Sequence, residues 1–98
     1  MFVVTLTYTA SLERIDELIP AHVEWLDRNY ATGAFLASGR RVPRTGGVIL
    51  AQAASPAALD AVLAEDPFKK AGAAEYQVVE FLPTKTAPAL ESLAVHPN

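Results

Sequence analysis

His22 is the first residue in this 98-residue chain that could carry chemistry. It stands seven residues after Ile15, four after Leu18 and four before Leu26, which puts it on the apolar stripe of a helix. An imidazole so placed faces inward, where it can serve as general base or acid because its ordinary pKa lies nearest neutrality. The same spacing also suits a neutral core histidine whose ring nitrogens bond to backbone or water. Asp66, in Glu65-Asp66-Pro67-Phe68, is the second candidate. Its carboxylate can accept the proton of His22 and orient the ring, as the acid does in other histidine dyads. Ordinary turn chemistry is the alternative for an aspartate before a proline.

Ser38-Gly39 follows a short apolar run, with a hydroxyl able to bond a ligand and a glycine that allows close backbone approach. A simple strand terminus explains the pair equally well. Trp25 can line a pocket beside His22 or fill the core. Arg40, Arg41 and Arg44, with Lys69 and Lys70, either frame the mouth of a pocket for a carboxylate or phenolate or form a solvated hairpin tip. Other chemistries find little support. Gly46-Gly47 lacks the following Lys-Ser or Lys-Thr of a phosphate loop, and no glycine-flanked serine elbow is present. His22, His96 and scattered carboxylates have no metal-ligand spacing, and without cysteine there is no thiolate nucleophile or disulfide. Neither a metal nor a cofactor is expected.

The elements that must position these residues can be read in order. Phe2 to Tyr8 alternates aromatic and β-branched residues with Thr5 and Thr7, as a strand does. Ser11 can cap a helix carrying Leu12, Ile15, Leu18, Ile19, Trp25, Leu26 and Tyr30 at three- and four-residue steps, ended by Gly33. Pro20 predicts a kink in it, or two segments meeting there. Phe35 to Ser38 and Gly47 to Ala53 read as a hairpin around Arg40 to Gly46. Ser55-Pro56 starts a second helix through Ala57 to Ala64, stopped at Asp66-Pro67. Tyr76 to Leu82 is a fourth strand, and Ala89 to Val95 a weak helical segment before a frayed end at His96 to Asn98.

The order β, α, β, β, α, β predicts an α+β, ferredoxin-like split βαβ sandwich over residues 1–98, an antiparallel sheet with two helices on one face. Both alternating sets of strand residues are largely apolar, so one sheet face needs a cover, and a symmetric dimer stacking two sheets supplies it. An apolar fraction of 51% against 19% charged residues predicts a folded chain. A formal charge of -3 offers no broad basic field for nucleic acid. No apolar stretch is long enough for a membrane, and the start MFVVTLTYT reads as a strand instead of a signal peptide, so a cytoplasmic location is expected.

Pro20-Ala21-His22 with Leu26 and Tyr30, then Phe35-Leu36-Ala37-Ser38-Gly39, Gly46-Gly47 with Ile49, Asp66-Pro67-Phe68 and Ala71-Gly72 together resemble the YciI-like (YCII-related) proteins across nearly the whole chain. That resemblance implies a ferredoxin-like subunit in a dimeric α/β barrel, related in shape to muconolactone isomerases and small cofactor-free monooxygenases. It also implies a pocket with a histidine and aspartate pair, carried here by His22 and Asp66 with Ser38 nearby; Gly39, Trp25 and Phe68 are the further candidates for ligand contact. Family members often have Gly-Pro after the serine, whereas Ser38-Gly39-Arg40-Arg41 puts a charge there. A domain of this type has been linked to dehydrochlorination of a chlorinated hydroxyquinol. The expected function is therefore a small cofactor-independent enzyme moving a proton on a small cyclic or aromatic substrate, by isomerisation or elimination. The alternative is a module that binds a small anionic or aromatic ligand, or another protein, without chemistry.

Overall fold

The computed structural model describes residues 1–95, so the expected frayed end from His96 lies outside the described residues. In chain order the elements are β1 (Phe2–Tyr8), α1 (Leu12–Ala31), β2 (Phe35–Arg40), β3 (Gly46–Ala51), α2 (Pro56–Leu63), α3 (Pro67–Lys70), β4 (Ala74–Glu80) and a 3-10 segment (Pro88–Leu93). The strands pair antiparallel in the order β2-β3-β1-β4, which is the α+β, ferredoxin-like arrangement.

Local chemistry explains the helix ends. Ser11 Oγ accepts from the backbone N–H of Arg14 at 3.2 Å, and Ser55 Oγ from that of Ala58 at 3.1 Å, each satisfying a donor left over in the first turn. α1 ends at Ala31, and the chain turns away through Gly33 with φ of 82°, a conformation that only glycine takes without steric cost. The break or kink expected at Pro20 is not borne out as two segments: α1 is one helix of 20 residues. Pro20 lies on its exposed side, as does Asp16, whose carbonyl loses its helical donor and is left to water.

Several boundaries shift. β2 runs on to Arg40 instead of ending at Ser38, so Ser38-Gly39 lies inside the strand, and β3 spans Gly46–Ala51 instead of Gly47 to Ala53. β4 runs from Ala74 to Glu80 instead of Tyr76 to Leu82, because its register on β1 pairs Tyr8 with Ala74 and Phe2 with Glu80. Asp66-Pro67 does not only stop a helix; α2 has already ended, and Asp66 caps the short α3.

Phe2, Val4, Leu6, Ile49 and Ala51 bury one face of the sheet against Ile15, Trp25, Leu59, Leu63 and Phe68 from the helices. Trp25 is fully enclosed, and its indole Nε1–H donates to the Val62 carbonyl at 3.1 Å, tying α1 to α2. The other sheet face carries Val3, Val48, Leu50 and Val79, with Val79 62% exposed. No helix of the described residues is long and apolar enough to cross a membrane.

Candidate active site

α1 and α3 meet over the sheet and bring His22 to Asp66. His22 Nδ1 lies 2.8 Å from Asp66 Oδ1, across 44 residues of sequence. Asp66 is completely buried, the one buried charged or polar side chain among the described residues. Its burial is compensated by three donors. Oδ1 also accepts the backbone N–H of Phe68 at 3.0 Å, and Oδ2 accepts the Tyr76 hydroxyl from β4. Because a carboxylate only accepts, His22 contributes Nδ1–H, and in the neutral ring the lone pair is then on Nε2. No side-chain hydrogen bond involves Nε2 among the described residues.

The ring is held by packing as well. Phe68 stacks on His22 with centroids 4.0 Å apart and planes 13° from parallel, and Trp25 lies behind at 5.4 Å. The imidazole is therefore fixed in plane by one aromatic and in direction by the carboxylate. Burial, and next the bond to Asp66, push the Tyr76 phenol far above its ordinary pKa, so Tyr76 is a protonated donor at neutral pH.

His22 opens onto a cavity of about 170 Å³ whose wall includes Leu6, Ile19, Leu26, Ile49 and Phe68, with Ser38, Gly39, Arg40 and Arg44 as its polar part. The cavity has a simple origin in the sheet. Arg40, Gly47, Leu6 and Tyr76 form one cross-strand row, and Gly47 has no side chain to fill it. Ser38 Oγ shares a 2.6 Å hydrogen bond with the Tyr30 hydroxyl from α1. Arg44 bonds Asp16, which raises its pKa above the ordinary guanidinium value.

Of the expected site residues, the structure brings His22, Asp66, Ser38, Gly39 and Phe68 together. Trp25 is buried behind the histidine and forms no part of the cavity wall. The basic cluster divides: Arg40 and Arg44 line the cavity, whereas Lys70 pairs with Glu65 and Lys69 lies over the Tyr76 ring at 5.3 Å. Among the described residues no three histidine, aspartate or glutamate side chains converge as a metal-binding group. Tyr76 and Tyr30 are the contributors that sequence reasoning missed. Alternation along β4 puts Tyr76 on the face of Val78, but only the β1 register sets it beside Leu6.

Residues 1–82 match the YCII-related domain. The chain belongs to the YCII-related family. No curated protein sequence matches it. Among solved structures, this YCII-related domain is similar to 5-chloro-2-hydroxyhydroquinone dehydrochlorinase from Burkholderia phenoliruptrix in complex with 2,5-dihydroxybenzoquinone. The TM-score is 0.70 at 20% identity, over 83% of this chain and 93% of the other. At that identity the likeness is one of fold.

Proposed function

We propose that this YCII-related protein is a small proton-transfer enzyme acting on a single-ring substrate, with His22 as general base and acid and Asp66 as the group that orients it. Support comes above all from the 2.8 Å His22–Asp66 contact, in which a buried carboxylate takes Nδ1 of a histidine that lines the cavity. A core histidine needs no such partner. The cavity volume, about 170 Å³, also fits, since an apolar cavity of about 150 Å³ holds benzene.

In this reading Nε2 takes a proton from a saturated ring carbon beside a carbonyl, which a hydroxylated aromatic ring presents in its keto tautomer. In an elimination, the electrons of the broken C–H bond form a C=C bond and the leaving group departs with its pair. In an isomerisation, the imidazolium returns the proton to a different carbon. Asp66 stabilises the imidazolium between the two steps, and the Tyr76 hydroxyl and Phe68 N–H hold Asp66 in place. The name of the structurally similar dehydrochlorinase suggests hydroxylated quinones and their chlorinated precursors as first substrates.

A second copy of the chain over the Val3, Val48, Leu50 and Val79 face completes the proposal, as a dimer stacking two sheets. The test of the chemistry is chloride release from 5-chloro-2-hydroxyhydroquinone and deuterium exchange into 2,5-dihydroxybenzoquinone, in the wild type and in His22→Gln. General acid-base catalysis predicts a loss of about 10²- to 10⁴-fold in the variant. Wild-type turnover by His22→Gln refutes the proposal, and ligand binding without proton exchange by the wild type makes the domain a binding module.

A further inference from the structure

We infer that the cavity selects a ring bearing an anionic oxygen, a carboxylate or a phenolate, and that Arg40 is the residue that holds it. This rests on the reading of the cavity as the ligand site. Ser38 and Arg40 are two residues apart on β2, so they project from the same sheet face, and Ser38 pairs with the buried Ile49. Arg40 pairs with Gly47, so no side chain on β3 stands between its stem and the cavity.

The neighbouring arginines are already engaged. Arg44 has Asp16 as counter-ion, and Arg41 donates to Thr7 Oγ1 at 3.1 Å on the opposite face of the sheet. Arg40 makes no side-chain hydrogen bond or ion pair among the described residues, and no carboxylate lines the cavity. A guanidinium stays charged at every accessible pH and presents a planar fork that matches a carboxylate. Arg40 is exposed at the rim, so a bound ring shields it from water as it binds, which strengthens the pairing. The placement also serves proton removal. When Nε2 takes a proton from the ring, negative charge collects on a ring oxygen, and Arg40 with the Ser38 hydroxyl offers donors to it.

The test is titration of the protein with benzoate and with its neutral analogue benzamide, read at the His22 ring signals by NMR. The wild type binds benzoate about tenfold tighter than benzamide, about 1.4 kcal/mol, since a hydrogen bond to a charged group exceeds a neutral one. Arg40→Gln loses the preference. Arg41→Gln, which removes the same charge from the far face, keeps it. Equal binding of the two probes by the wild type overturns the anion preference and leaves the cavity standing as the ligand site. Retention of the preference in Arg40→Gln, or its equal loss in Arg41→Gln, overturns the role of Arg40. No shift at His22 with either probe overturns the cavity itself and the inference with it.

Discussion

Replacing Asp66 with Asn separates the charge of the dyad from its geometry. Two donors point at Oδ1, the Phe68 N–H at 3.0 Å and His22 Nδ1 at 2.8 Å, while Oδ2 faces the Tyr76 hydroxyl. A backbone N–H cannot become an acceptor, so the asparagine carbonyl must take the Oδ1 position and its NH2 group the Oδ2 position. The Tyr76 hydroxyl can rotate to accept from that NH2. His22 therefore keeps its Nδ1–H tautomer and a basic Nε2.

What the variant loses is the attraction between carboxylate and imidazolium. At an effective dielectric constant of about 20, unit charges about 4 Å apart interact by about 4 kcal/mol. The remaining neutral hydrogen bond returns about 1 kcal/mol. The net loss of about 3 kcal/mol corresponds to about a 10²-fold fall in kcat/KM at about 1.4 kcal/mol per decade. The assay pairs kcat/KM on the turned-over quinone with the ¹⁵N shifts of His22, which report the tautomer. An Nε2–H tautomer in the variant refutes the claim that Phe68 fixes the amide, and an unchanged kcat/KM refutes the role of the charge.

Tyr76→Phe removes one of the three donors to a fully buried carboxylate and is expected to lower unfolding stability by about 2 kcal/mol, read from the urea midpoint. Because the folded-state pKa of Tyr76 is raised above its ordinary 10.0, its stabilising contribution is complete below that pH and falls as the pH rises above it. The wild type should therefore lose more stability than Tyr76→Phe between about pH 8 and about pH 11. Gly46→Ala places a Cβ 1.7 Å from the Leu6 carbonyl oxygen, so the strands must part, and thermal melting should show a cost of about 3 kcal/mol, the upper end for overpacking. Gly47→Ala meets only the Gly39 carbonyl oxygen at 3.1 Å; it should stay folded and bind ring probes more weakly, because its methyl group occupies cavity space. If the sheet faces pair as proposed, Val79→Glu puts a charge into that interface and should convert the expected dimer to a monomer by sedimentation, whereas a monomeric wild type refutes the pairing.

Apart from the short α3, the element order was legible, because the helix starts have local causes. Ser11 and Ser55 cap where their positions before apolar periodic runs require, and the β-branched alternation of β1 persists in the structure. The exact reach of β4 was not legible, since it is set by pairing with β1 and not by its own composition. At Asp66 the sequence offered two readings, turn chemistry and a histidine partner. Both hold at one atom: Oδ1 caps α3 through Phe68 N–H and also bonds His22. Local spacing could not reveal that, because the second bond spans 44 residues. The basic cluster likewise divides by strand parity, Arg40 toward the cavity and Arg41 toward the far face, once the β2–β3 register is known.

Register also explains why the cavity and the dyad belong together. In the row Arg40, Gly47, Leu6, Tyr76, the glycine leaves space at one end and the tyrosine secures Asp66 at the other. A slip of β3 by one residue would replace Gly47 with Gly46 or Val48 in that row and turn Ile49 out of the core. Gly46 is already held against Leu6 too closely for any side chain, so the register that buries Ile49 also fixes the gap over Gly47. The cavity that His22 lines and the tyrosine that secures its acid partner thus follow from a single set of strand pairings. A substitution that shifts this register should disable ligand binding and the orientation of His22 together.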